Sequence, residues 1–134
     1  MKIDYDEIKK YLTVLSDSDN PMLNTLEFMK SLGLNYDDDK DVKLFWHNLN
    51  LINDANYIEC IEDKENDLGI SFTATGTPIV RIKSFRLKLN GNQALEAMNL
   101  NNVWLKVKDN LKVLGVAGLK QIPSLAIKLI ESNS

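Results

Sequence analysis

The amino-acid sequence predicts an α+β fold, on three observations. Apolar residues recur at three- and four-residue steps through the N-terminal part, alternate singly through the middle, and return to helical spacing towards the C-terminus. Taken in order, these patterns read helix, helix, helix, strand, turn-rich tip, strand and then further helices. That is the order of a winged helix-turn-helix with a long two-stranded wing and additional C-terminal helices. At 134 residues the chain is about one domain long. We therefore read residues 1–134 as a single domain, with a core over 1–98, a wing over 57–89 and a helical extension over 99–134.

Tyr5, Ile8, Leu12 and Leu15 place a first helix from about Asp4 to Ser16, with Asp4 and Asp6 suited to the positive end of its dipole. The segment SDSDNP breaks it. Leu23, Leu26, Met29 and Leu32 predict a second helix from about Met22 to Leu32, which Gly33 ends. A third, from about Asp39 to Asn53, carries Val42, Phe45, Trp46, Leu49 and Ile52, with an aspartate available as cap. Asn56 tolerates a left-handed backbone, so NDANYI reads as helix end, tight turn and strand entry, and Tyr57 to Glu62 alternates as a strand.

The polar stretch EDKEND and the segment SFTATGTP form the tip, with Gly76, Thr77 and Pro78 as its turn. Val80 and Ile82 then lie on one parity and Phe85, Leu87 and Leu89 on the other. One strand cannot bury both sets on one face, so a bulge or bend is predicted near Lys83 to Ser84. Asn90 and Gln93 resemble a capping box opening a helix from Gly91 to Met98. A further helix from Asn102 presents Val103, Trp104, Val107, Leu111 and Leu114 and should end at Gly115, with GVAGLK as its exit and linker. Pro123 opens a last helix, SLAIKLIESNS. Phe45, Trp46, Phe85, Leu87, Trp104 and Leu111 are expected to be mainly buried.

The strand-to-helix stretch RLKLNGNQALEAMNLNNVWLKVKDNLK resembles the C-terminal signature of the DUF2513 family, through Arg86, Leu87, Gly91, Leu95, Ala97, Val103, Trp104, Val107 and Lys108. Upstream, LNLINDANYI is similar to the family's Leu-Leu-x-x-Ala-Gly-Leu-Ile, with Asn56 where glycine is usual and Tyr57 where leucine is common. The resemblance implies a small winged-helix protein of phages, prophages and bacterial chromosomes, with no established activity. The chain departs from the family pattern between Asn35 and Phe45 and in the tip from Asp63 to Pro78.

The net charge of −3 conceals an asymmetry: residues 1–76 carry 7 Lys/Arg and 16 Asp/Glu, whereas residues 77–134 carry 9 and 3. A dipolar surface is expected. In a winged helix the third helix enters the DNA major groove and the wing leans on the backbone. Lys40, Lys43, Asn48 and Asn50 are then the candidate helix contacts, and Arg81 and Lys83 the candidate wing contacts. Against DNA stand Asp37, Asp38, Asp39 and Asp41 at the start of that helix, because phosphate binding needs cations. The same aspartates are the candidate surface of a protein-binding adaptor, or of an inhibitor of a host factor such as a phage anti-defence protein.

No catalytic constellation is found, and no enzyme, cofactor or metal is expected. Asp37, Asp39 and Asp41 have the spacing of a calcium loop, but Val42 stands where it needs glycine and Asn48 where it needs glutamate. DKEND fails similarly at Leu68. GVAGLK lacks the spacing and hydroxyl of a phosphate loop. The single cysteine, Cys60, reads as a small buried hydrophobe and the single histidine, His47, as a side chain packed on or beside a helix. With no long apolar run and an acidic amphipathic start, the protein is expected in the cytoplasm, away from membranes. Its expected partners are DNA, a host protein, or a second copy bound through the C-terminal helices.

Overall fold

The computed structural model describes residues 3–61, 67–114 and 116–132. Asp4 accepts from the N–H groups of Asp6 and Glu7 and so caps α1 (Tyr5–Asp17). The next element departs from expectation. Leu23–Asn24 is a short strand, β1, and the second helix, α2, begins only at Thr25 and runs to Ser31. Asn24 receives the Glu27 N–H at 2.9 Å while the Glu27 carboxylate receives the Asn24 N–H at 3.1 Å. This capping box starts the helix where the strand stops. α3 (Asp39–Asp54) is capped by Asp38, and Asn56 follows it at φ 66°, the left-handed exit expected of it.

β2 (Ile58–Ile61), β3 (Ile70–Phe72), β4 (Pro78–Val80) and β5 (Ser84–Leu87) come next. β5 lies between β1 and β2, antiparallel to both, so that Leu23, Phe85 and Cys60 stand in one row across the sheet. β3 and β4 pair only with each other as an outer hairpin, turned at Gly76. The tip read from the sequence thus contains a strand pair of its own. The predicted bend is present as a break over residues 81–83, where Thr25 grips the backbone of Lys83. Thr25 N–H donates to the Lys83 carbonyl, and its hydroxyl accepts the Lys83 N–H, each at 2.9 Å.

α4 (Leu89–Met98) follows β5 with no capping box. Lys88 is its N-cap, without a side-chain cap, and the box expected at Asn90 and Gln93 does not form. What joins strand to helix is close approach: a methyl group on Gly91 would overlap the Tyr57 carbonyl and come within 2.6 Å of Leu87 Cδ1. Lys88 donates its own N–H to that carbonyl at 2.9 Å. α5 (Asn101–Leu114) is followed by a short helix, α6 (Val116–Leu119), where an exit and linker were expected. α7 (Ile122–Ser132) has Pro123 in its first turn, as predicted. Glu62, the expected strand end, Gly115, the expected helix end, and most of EDKEND lie outside the described residues.

The class is therefore α+β, as expected, with one hydrophobic core running through both parts of the chain. Tyr11, Phe28, Phe45 and Phe85 bring together α1, α2, α3 and β5, with ring centroids 5.3–6.0 Å apart from neighbour to neighbour. Trp104, Val107, Leu111, Leu119, Ile122 and Ala126 continue that core into the C-terminal helices. Of the side chains expected inside, Phe45, Phe85, Trp104 and Leu111 are buried and Leu87 is half-buried. Trp46 is not: it is 38% exposed, because it follows Phe45 by about 100° around α3. No described helix is long and apolar enough to cross a membrane.

Candidate functional site

α3 turns Val42, Phe45, Leu49 and Ile52 inward. The three- and four-residue spacing therefore gathers Lys43, Trp46, His47 and Asn50 on an outer face, with Lys40 one turn earlier. Lys40 and Lys43 are exposed there. Asn50 turns back on its own helix, donating to the Trp46 carbonyl at 2.7 Å. Asn48 departs from its expected role as a DNA contact: it is 2% exposed and faces the core, with its amide 3.4 Å from the Tyr11 hydroxyl. Its place two residues past Trp46 on a 3.6-residue helix sends it inward. Burial, aided by the charges of Glu7 and Asp41 and opposed by the Asn48 contact, moves the Tyr11 phenol up to about 12. His47 is partly buried, and its Nε2 is the enclosed side-chain polar atom left without a hydrogen bond among the described residues.

The outer hairpin lies against this helix. Phe72 of β3 meets Trp46 edge-on, with ring centroids 5.2 Å apart and planes 87° apart. At the base of the hairpin the two expected wing cations converge on Asp67. Arg81 ion-pairs with its carboxylate, and Lys83 adds a favourable charge. The Gly69 N–H donates to Asp67 Oδ1 at 2.8 Å, while the Arg81 N–H donates to the Gly69 carbonyl at 2.6 Å. The Gly69 hydrogen bond, with Arg81 and Lys83 behind it, holds the Asp67 carboxyl below its ordinary value.

The aspartates of the expected protein-binding surface divide by task. Asp37, Asp38 and Asp39 are exposed, but Asp38 also caps α3 through the Lys40 N–H, and Asp41 accepts the Asn35 N–H at 2.8 Å. Next to the C-terminal end of α3, the outer face of β2 and β5 carries a second polar group of side chains. Arg86 pairs with Glu59 there, and Lys88 donates to Asn56, beside a depression of about 560 Å³ that Asp54 also lines.

Asp67 and Phe72 were not singled out from the sequence, although each left a trace there. Asp67 stands two residues before Gly69, the pattern of an Asx-turn. Leu68, Ile70 and Phe72 alternate as a strand does. Comparison with protein-family models, with curated proteins and with solved structures gives no match to this chain.

Proposed function

We propose that the chain is a non-catalytic winged-helix module of the DUF2513 type, of phage or mobile-element origin, that binds nucleic acid as a cytoplasmic regulator. The observation that carries this reading is β1. A short strand between the first two helices, paired to the strand that returns from the hairpin, gives the order β1-β5-β2 with α2 and α3 packed beside it. A winged helix-turn-helix is built in this way. Exposed Lys40 and Lys43 on α3 are its phosphate contacts, and Arg81 reaches phosphate from the base of the hairpin. Binding of a random-sequence duplex should weaken steeply as salt rises, and Lys40→Ala with Lys43→Ala should weaken it for every sequence and flatten that dependence. Salt-independent binding in the parent protein would count against the reading.

A second reading, an adaptor or inhibitor that binds a host protein, is favoured by the exposed Asp37, Asp38 and Asp39 at the start of α3, which repel phosphate. A host protein retained by tagged protein after nuclease treatment at high salt, and lost with Asp37→Asn and Asp39→Asn, would support it. Self-association through the C-terminal helices would use the apolar groove between α4 and α7, at Leu100, Ile127 and Ile130, and light scattering tests it.

A further inference from the structure

We propose that a second copy of this chain docks antiparallel along α7, with Lys120 of each copy against Glu131 of the other. This gives a geometry to the self-association named above and rests on that reading. α7 packs along α4 and α5, and it turns Ile122, Leu125, Ala126 and Leu129 into that packing. Another side of the helix is left uncovered. Lys120, in the turn that leads into α7, and Ser124, Ile127 and Glu131 within it are all exposed. Their steps of four, three and four residues are those of one seam between two helices. Beside the seam, Leu100, Pro123 and Ile130 line the groove of about 240 Å³ between α4 and α7, with the buried Ala97 and Ala126 below them.

The charges select the occupant. A helix favours acids at its N-terminal end and cations at its C-terminal end. α7 has the reverse, because Lys120 precedes its first turn and Glu131 lies in its last. An antiparallel second copy corrects both ends, since it brings a carboxylate to the first and an ammonium to the last. A parallel copy would set like charges side by side.

The register follows from the pairing. With Lys120 opposite Glu131, Ile127, 56% exposed, stands opposite Ser124 of the second copy, a large side chain against a small one. Each contact occurs twice about a two-fold axis, so the patch is complementary to itself. Within one copy the two charges do not meet. Ile122 and Glu131 are nine residues apart, about 14 Å along the helix, and Lys120 lies further back. With 11 residues in α7, the contact is smaller than a standard interface and the dimer is weak.

The test is sedimentation velocity from low micromolar to near-millimolar concentration, with circular dichroism to check that each variant folds. The parent protein should pass from monomer to dimer over that range. Lys120→Glu and Glu131→Lys should each weaken association by about tenfold or more, because each sets like charges opposite one another twice. An equimolar mixture of these two variants should restore it, since every pair between unlike copies is again of opposite charge. Ile127→Asp should abolish it. A dimer unaffected by the charge reversals, or a mixture that stays monomeric, would overturn the α7 seam while leaving self-association through another face. A parent protein that is monomeric at every concentration would overturn self-association and the seam with it.

Discussion

Gly91 answers at the residue scale why a basic strand runs directly into a helix. Its bare Cα lets the first turn of α4 rest on the Tyr57 carbonyl, and any side chain must push that strand entry away. Gly91→Ala should therefore destabilise the fold by about 1–3 kcal/mol, read from chemical denaturation, despite the better helix propensity of alanine. Tyr11 and Tyr57 set an alkaline limit. Burial raises both phenols above their ordinary 10.0, Tyr11 to about 12, so the folded protein keeps protons that the unfolded chain releases. Stability should be at its full value below pH 10 and fall as the pH rises beyond it, in a titration of melting temperature. Asp67 has the opposite sign. Its carboxyl is held below the ordinary 3.8 by the Gly69 N–H and by Arg81, so the clasp is intact above that value and lost as the pH falls through the lowered one. Melting temperature should fall over that acid range, and Asp67→Asn should remove that part of the pH dependence.

At the scale of elements, the two tryptophans are a matched contrast. Trp104 is buried on α5, where its ring meets Tyr5 edge-on at 6.4 Å. Trp46 stands at the side of α3 and is covered in part by Phe72. Trp104→Ala should cost about 3–5 kcal/mol in equilibrium unfolding, and Trp46→Ala distinctly less. Equal losses would mean that the Trp46–Phe72 contact is packed as tightly as the surroundings of Trp104. The bend before β5 follows a similar logic. Side-chain parity in the sequence reveals that the strand must break, whereas Thr25, remote in sequence, decides where the two halves are pinned.

Across the whole molecule, the charge asymmetry is moderated by folding. Arg81–Asp67, Arg86–Glu59 and Lys108–Asp6 each join a cation of the basic second half to an acid of the first. Exposed pairs of this kind contribute at most about 1 kcal/mol each, but they engage three cations, Arg81 among them, with the protein's own acids. The C-terminal helices belong to the same body: Tyr57 donates to the Leu119 carbonyl, and Leu119, Ile122 and Ala126 are buried. Truncation after Met98 should expose that core, abolish a cooperative thermal transition and bring in dye binding to apolar surface. The sequence by itself determined the α+β class, the first and third helices, the left-handed Asn56 and the broken strand, because periodicity, caps and parity are local properties. Only the tertiary structure decided that Leu23 and Asn24 form a strand, that Asn48 points inward, that Gly91 meets Tyr57, and that Arg81 meets Asp67. Each of these depends on a partner remote in the chain or on which side of an element faces the core, and local spacing carries no record of either.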